Sequence, residues 1–169
     1  MLQIIEVKIK DSILEYFLNF PKPSPSNLIT GTKNGNQTPN IVSLIDPNLI
    51  LHLKTNYLIP SINKIKGNYN YTDIDIDWVH HITYNLQGKQ LVHNHEEFED
   101  FSFILYLNDC PDGHTIFYTF PKPTILTPSK GKLVIFKSHL YHEATQSINL
   151  KQVIVGAIQL QEKKWNPRP

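Results

Sequence analysis

The N-terminal part of the chain shows a strand pattern, a helix pattern and then a stretch without periodicity. Apolar and polar residues alternate over residues 3–9, which predicts a strand. Residues 11–18 carry apolar side chains at helical spacing, and Asp11 stands where a side chain can cap the first turn, so a short helix is predicted there. Proline, glycine and asparagine dominate residues 21–36, which predicts a long loop, either an active-site flap or a mobile surface segment.

The clearest helix pattern follows Asp46. An aspartate at the N-cap and Pro47 at the first helical position are typical of a helix start. Apolar residues keep helical spacing from Leu49 to Ile65, and Gly67 ends the helix. Because proline has no amide hydrogen to donate, Pro60 predicts a kink within this helix.

Beyond residue 73 the pattern changes to short strands separated by turns. Many strands after a helical part indicate a mostly β (α+β) fold, either a β-sandwich or a small barrel backed by the N-terminal helices. The length of 169 residues fits a single domain, in which residues 1–72 form a helical and loop support and residues 73–162 form the β core. The predicted strands cover residues 77–84, 90–97, 101–107, 115–120, 123–126, 132–136 and 152–160.

The composition argues against several classes of protein. Sixteen basic and 15 acidic residues leave a formal net charge of +1, so nucleic-acid binding driven by net charge is not expected. The single cysteine, Cys110, permits no disulfide within the chain, which is typical of a reducing compartment. No apolar run approaches the ~20 residues of a membrane helix, and the first residues lack the apolar core of a signal peptide. We therefore expect a cytoplasmic protein that does not enter a membrane.

A cluster of side chains able to bind metals lies directly before an almost wholly apolar run. His93, His95 and Glu97 are spaced two residues apart. Residues with this spacing share one face of a strand, so all three point the same way. Two histidines and a carboxylate on one side of the metal, with open positions opposite, are the ligands of non-haem Fe(II) oxygenases. The alternative is a polar strand end that displays its histidines to solvent.

A further ligand is available after the strand predicted at residues 132–136, where the chain carries His139 and His142. By residue type, either histidine can complete a metal site or serve as an ordinary surface or packing residue. The combination with the cluster at residues 93–97 favours a metal centre.

These motifs form part of a longer succession over residues 78–160. Tyr84 and Gly88 precede the histidine cluster, and the strand motif Phe-Ser-Phe-Ile-Leu-Tyr-Leu-Asn follows it at residues 101–108. The remaining elements are Gly-His-Thr-Ile-Phe at 113–117, Pro-Ser-Lys-Gly-Lys-Leu-Val-Ile-Phe at 128–136, and His142. The succession resembles the 2-oxoglutarate/Fe(II)-dependent oxygenases, in particular their prolyl-hydroxylase-like branch. The resemblance implies a double-stranded β-helix, or jelly-roll, supported by the N-terminal helices.

The chain departs from the family pattern at the metal ligands, where the family carries His-x-Asp. His93 lies nine residues after Tyr84, at the place of the family's first histidine. His95 then replaces the aspartate, as in phage-like and bacterial relatives that carry His-x-His. Alternatively, His95 and Glu97 form a His-x-Glu pair that keeps a carboxylate. The spacing from Tyr84 favours the first assignment, and the preference of Fe(II) for a carboxylate favours the second.

A second departure concerns the co-substrate. Shortly after its distal histidine the family carries an arginine that binds the far carboxylate of 2-oxoglutarate. This chain has Lys151, nine residues after His142, and the spacing implies His142 rather than His139 as the distal ligand. Lysine keeps the positive charge of arginine but lacks its bidentate fork.

Strand parity places Ser102 and Tyr106 on one face of the strand at residues 101–107, and their polar atoms indicate that this face looks into the barrel. The resemblance implies that Tyr106, with Tyr84 nearby, hydrogen-bonds the far carboxylate of 2-oxoglutarate. We expect Ser102 to line the same site.

The resemblance implies an enzyme, an Fe(II)- and 2-oxoglutarate-dependent dioxygenase. Its co-substrates are 2-oxoglutarate and O2, and decarboxylation to succinate accompanies hydroxylation of a substrate. The prolyl-hydroxylase-like branch suggests a prolyl residue of a peptide or protein, while small molecules are the other substrate class, because fold alone does not determine the substrate. The missing aspartate and arginine keep two alternatives open: a non-catalytic metal-binding jelly-roll and a three-histidine cupin-type dioxygenase.

Overall fold

The computed structural model describes residues 2–24, 32–67, 70–95 and 99–161. Within these residues the chain forms three α-helices and nine strands. In chain order they are β1 (Ile4–Lys8), α1 (Asp11–Leu18), β2 (Thr32–Gln37), α2 (Pro47–Leu53), α3 (Ile59–Lys66), β3 (Ile74–His93), β4 (Phe101–Tyr106), β5 (Thr115–Phe117), β6 (Thr124–Leu126), β7 (Lys132–Lys137), β8 (His142–Ser147) and β9 (Lys151–Leu160). None of these helices has both the length and the apolar composition needed to cross a membrane.

The strands form one continuous antiparallel sheet in the order β1-β7-β4-β9-β3-β8-β5-β6, with β2 paired to β3. The long strand β3 joins the two halves of the sheet. Residues 74–84 of β3 pair with β9, and residues 88–93 pair with β8. Since β3 passes from one half of the sheet to the other, the sheet curls around an interior. The mostly β prediction is confirmed.

Side-chain alternation divides the buried residues of this sheet into two layers. On β4, Phe101, Phe103 and Leu105 pack towards the helices, whereas Ile104 and Tyr106 face the interior of the curled sheet. Full burial of one such large apolar side chain contributes about 1.5–3 kcal/mol. The helix-side layer also includes Ile13, Leu14, Phe17, Leu53, Ile62, Ile65, Leu133, Ile135, Ile154 and Ile158.

The helices lie close to their predicted positions, with one difference in capping. The Asp46 side chain caps α2 by accepting a hydrogen bond from the Asn48 amide at 2.8 Å, as predicted. Asp11, by contrast, is the first residue of α1, and Lys10 before it gives no side-chain cap. The carboxylate therefore interacts with the positive end of the helix without capping it.

The helix predicted from Asp46 to Gly67 is divided in the structure. A wider π-helical turn, Lys54–Leu58, separates α2 from α3 and lies directly before Pro60. Since Pro60 donates no amide hydrogen bond, the regular α-helical pattern is interrupted around it. Gly67 ends α3 with a φ of 71°, a backbone conformation that glycine adopts without steric cost.

Three strand assignments from the sequence are wrong. Residues 32–37, assigned to the loop, form β2 against β3. The strands predicted at 77–84 and 90–97 form, as far as His93, one strand, β3, which continues past irregularities near Gln87 and Gly88. Residues 94–95 lie beyond the end of β3, and residues 96–97 lie outside the described residues. Strand β8 was not predicted at all. Strands β2 and β8 carry mostly polar residues, so their positions depend on backbone pairing that hydropathy does not reveal.

The helix-side face of β3 contains a buried histidine. His81 is 0% exposed, and its Nε2 atom has no hydrogen-bond partner among the described residues. Its Nδ1 atom lies 3.4 Å from the Pro21 carbonyl oxygen. Burial lowers the pKa of His81 below its ordinary value, because a charged imidazole there would lose its hydration.

Below about pH 6.5 the unfolded chain takes up a proton at His81 that the folded protein excludes, so the free energy of unfolding should fall as the pH decreases. Replacing His81 with leucine should reduce this loss by up to about 1.4 kcal/mol at pH 5.5. Urea unfolding of both proteins at pH 7.5 and pH 5.5 measures the difference. An equal loss in the two proteins would contradict the prediction.

Candidate metal centre

Three histidines converge at one end of the curled sheet. The candidate ligand nitrogens of His93, His95 and His142 all lie within 4.8 Å of one another. His93 and His142 are direct partners in the antiparallel pairing of β3 with β8. His95 lies just beyond the end of β3, where its amide donates a hydrogen bond to the Ser138 carbonyl at 2.9 Å. Sheet pairing and this loop contact therefore bring the three rings together.

Two of the three imidazoles are oriented in the same way. His93 Nδ1 lies 2.8 Å from the Leu91 carbonyl oxygen, and His142 Nδ1 lies 2.9 Å from the Leu140 carbonyl oxygen. A carbonyl can only accept, so Nδ1 carries the proton in each ring and Nε2 keeps its lone pair. Metal-binding histidines are commonly oriented by such a bond to the second nitrogen. This donor set fits a divalent metal ion.

Burial keeps two of these histidines, His95 and His142, uncharged. Loss of hydration lowers the pKa of His142 to about 3, and His93 beside it adds to the effect. The same causes lower the pKa of His95 to about 4. The aromatic rings of Phe117 and Phe136 pack against His142, with centroid distances of 5.6 and 4.9 Å. The buried His142 and the half-buried His95 are therefore neutral at pH 7, the form in which they bind metals.

The other two candidate ligands are Glu97 and His139. Glu97 lies outside the described residues. His139 is exposed and lines a separate crevice with Lys66 and Lys137. Among the described residues, the histidine that joins the strand-end pair is thus His142, as the spacing to Lys151 implies.

A cavity of about 370 Å³ extends into the interior from the three histidines. Its lining includes all four residues expected at a 2-oxoglutarate site, which are Tyr84, Ser102, Tyr106 and Lys151. The structure therefore brings these residues and the histidines to one enclosed space.

Lys151 is the buried cation of this cavity. The residue is 2% exposed, and its ammonium group donates a hydrogen bond to the Gly113 carbonyl at 2.9 Å. The same Nζ atom lies 4.8 Å from the centre of the Tyr84 ring. Burial lowers the pKa of Lys151 from 10.5 to about 8, because these two contacts replace only part of its hydration. An anion beside the ammonium group would stabilise its charged form.

Hydroxyl groups line the same cavity as Lys151. Tyr106 is fully buried and donates a hydrogen bond to Thr115 Oγ1 at 2.7 Å. Burial raises the pKa values of Tyr84 and Tyr106, so both remain protonated at neutral pH. Thr115 was not among the expected site residues, although the Gly-x-Thr motif at residues 113–115 signals it.

Ser102 lies towards the histidine end of the cavity. It is four residues from Tyr106 on the same face of β4, which separates the two by about 13 Å along the strand. Its hydroxyl forms a 2.8 Å hydrogen bond with the Ser138 hydroxyl, and the Ser138 carbonyl in turn accepts the His95 amide. Ser102 is thus linked to the backbone that holds His95.

Trp78 forms a wall of the cavity that the sequence analysis missed. Its ring lies 5.7 Å from the His95 ring and 5.0 Å from the His80 ring. The indole N–H donates a hydrogen bond to Glu99 Oε1, which holds the ring in place. Burial raises the pKa of the Glu99 carboxyl to about 7. The strand pattern carried no signal for this wall, because the contact between Trp78 and Glu99 spans 21 residues.

Comparison of sequences finds no relative: no protein-family profile and no curated protein matches the chain. Comparison of structures finds many. A prolyl-4-hydroxylase from Pseudomonas putida superposes with a TM-score of 0.64 at 14% identity, over 95% of this chain and 94% of that one. The viral collagen prolyl hydroxylase of Paramecium bursaria Chlorella virus-1, in its 2-oxoglutarate complex, gives 0.63 at 16% identity, over 95% and 97%.

A third similar structure is HygX from Streptomyces hygroscopicus with nickel and 2-oxoglutarate bound. Its TM-score is 0.68 at 11% identity, over 94% of this chain and 83% of that one. At such identities the likeness establishes the fold. The chain has the double-stranded β-helix of the 2-oxoglutarate/Fe(II) oxygenases, as its sequence motifs predict.

Proposed function

We propose that the protein is an Fe(II)- and 2-oxoglutarate-dependent dioxygenase that hydroxylates its substrate. The observation that carries this proposal is a single cavity that joins three convergent histidines at one end to the buried Lys151. The chemistry that iron supplies when bound is the activation of O2, which couples decarboxylation of 2-oxoglutarate to hydroxylation. The role of this chain is to hold the metal, orient the co-substrate and exclude water.

The metal ligands of this proposal are His93, His95 and His142. Three convergent nitrogens, two of them oriented through Nδ1, favour this set over one built on His95 and Glu97. The strand pairing of His93 with His142 also gives the pair a rigid base. Ser102 supports the centre indirectly, through Ser138 and the backbone of His95.

In the proposed enzyme Lys151 binds the far carboxylate of 2-oxoglutarate. A buried ammonium whose pKa is already lowered gains from an anionic partner, because the pair offsets the lost hydration of both charges. The hydroxyl groups of Tyr106, Thr115 and Tyr84 belong to residues that line the same cavity, and in this proposal they donate further hydrogen bonds to the carboxylate.

For the substrate we propose a prolyl residue of a peptide or protein. The cavity wall near the metal centre carries uncharged groups, including the Trp78 ring and the amides of Gln37, Gln90 and Asn94. An apolar ring can pack on an indole, as proline-rich segments do in aromatic-lined grooves. The structural likeness to the Pseudomonas and viral prolyl hydroxylases supports the same class.

A second candidate follows from the histidines alone. Three imidazoles without a described carboxylate are also the ligands of a cupin-type dioxygenase, which would not need 2-oxoglutarate. The buried Lys151 favours the first proposal, since a cavity with no dicarboxylate to bind would not require a buried cation.

With Fe(II), 2-oxoglutarate and O2, the protein should form succinate, and proline-containing peptides should increase the rate. Succinate measured by mass spectrometry, with an anaerobic sample as control, tests this. Stoichiometric metal binding without O2-dependent succinate would instead indicate the cupin-type enzyme or a non-catalytic protein.

Replacing His142 with alanine should abolish stoichiometric binding of Fe(II) or of Co(II) as its surrogate, because a buried ligand is lost from the group of three. His139→Ala is the matched control, since this histidine is exposed and lies only three residues away. Metal content after anaerobic gel filtration gives the result. Retention by His142→Ala combined with loss by His139→Ala would overturn the ligand assignment.

Replacing Lys151 with alanine should raise the dissociation constant for 2-oxoglutarate about a hundredfold, for ~2–3 kcal/mol lost, while metal binding is kept. Calorimetric titration of the Co(II)-loaded protein measures the constant. The control is Lys33→Ala, which removes an exposed lysine.

The pH dependence of the same titration separates the charge of Lys151 from its size. Because the pKa of Lys151 is about 8, the wild-type affinity for 2-oxoglutarate should weaken as the pH rises above this value. In Lys151→Ala the affinity should not change between pH 7 and pH 9. If Lys151→Ala and the wild type bind 2-oxoglutarate with the same dissociation constant at pH 7, Lys151 is not the anchor.

A further inference from the structure

Among the residues that the structure describes, the candidate metal centre offers only imidazole donors, whose metal-binding form carries no charge. Its three ligands among the described residues are imidazoles. Glu99 Oε1 accepts the indole N–H of Trp78, and Glu143 Oε1 accepts the hydroxyl of Tyr118 at 2.5 Å. Glu99 Oε2 is buried with no hydrogen-bond partner among the described residues, but neither carboxyl group belongs to the group of candidate ligands. The charge of a bound divalent ion would therefore not be offset by a described ligand.

His95 supplies one of these three imidazole donors. It stands two residues after His93 and offers a nitrogen donor to the group of three. An aspartate or glutamate side chain at the same position would offer an anionic oxygen instead. Lys151, at the other end of the cavity, adds positive charge and does not compensate.

Metal ions differ in how strongly they prefer a nitrogen donor over an oxygen donor at a ligand position. Imidazole nitrogen suits Ni(II), Cu(II) and Zn(II), while carboxylate oxygen suits Mn(II) and Mg(II). The affinity of a given site also rises from Mn(II) to Ni(II), so a third nitrogen donor widens a difference that already exists.

The position of His95 is also well defined by its contacts. Its amide is held by the Ser138 carbonyl, and its ring packs 5.7 Å from the ring of Trp78, which Glu99 anchors. A side chain at this place is therefore directed at the centre by the fold, and a change of donor type there alters the ligand set and leaves its framework in place.

We propose that His95 sets the metal selectivity of the centre, favouring nitrogen-preferring ions such as Ni(II) over oxygen-preferring ions such as Mn(II). The inference rests on the metal centre of the proposed function. It adds that a carboxylate at position 95 would shift the preference back towards Mn(II).

The test is an anaerobic calorimetric titration of metal-free protein with NiCl2 and with MnCl2, compared as the ratio of the two dissociation constants. His95→Asp should reduce the preference for Ni(II) over Mn(II), measured as this ratio, by about tenfold or more relative to the wild type. His95→Glu, whose longer side chain reaches closer to the place of the imidazole nitrogen, should act in the same direction. His139→Asp adds a carboxylate outside the group and should leave the ratio unchanged.

The proposal is overturned if both carboxylate variants keep the wild-type ratio, or if both lose all affinity for the two metals. In either case the proposed centre itself still stands when the wild type binds metal and His142→Ala does not. If the wild type binds neither metal, the proposed function fails. Circular dichroism of each variant verifies that its fold is intact.

Discussion

The antiparallel pairing of β3 with two different strands is the constraint on which the candidate site depends. In its first half β3 pairs with β9, which sets Tyr84 opposite Lys151. In its second half it pairs with β8, which sets His93 opposite His142. Both ends of the cavity are therefore defined by one strand, and the nine residues from Tyr84 to His93 determine the distance between them.

Loss of hydration destabilises the charged forms of His95, His142 and Lys151 in this cavity. It lowers the pKa values of His95 and His142, so that these imidazoles are neutral and ready to bind a metal ion. It also lowers the pKa of Lys151, so that the ammonium group is stable only with an anionic or polar partner. One physical effect thus prepares one end of the cavity for a cation and the other for an anion.

The two-layer arrangement separates folding from chemistry. Alternate residues of β4, β7 and β9 pack under the helices, where they form the larger apolar core. Their neighbours face the cavity, where Tyr106, Phe136 and Val153 surround the site. Gly156 shows how closely the helix-side layer is packed, because a Cβ atom there would lie 2.3 Å from the Phe103 ring. The site is therefore supported by a helix-side core that meets the cavity only at a few positions, such as Phe103 and Gly156.

The sequence by itself determined the elements whose pattern is local. Hydrophobic periodicity located α1, the Asp46 cap and most strands, while motif order and strand parity indicated the histidines, the two tyrosines and Lys151. Each single motif depends on neighbours within a few residues, so a linear chain displays it, while Lys151 and the two tyrosines were indicated by the resemblance of the whole succession over residues 78–160. The tertiary structure alone decided which distant groups meet. It made β2 and β8 strands although they are polar, joined two predicted strands into β3, brought Trp78 to His95, and placed Ser102 at the histidine end. Each of these contacts is made between segments far apart in the chain, and their geometry follows from the curl of the sheet, which local periodicity does not contain.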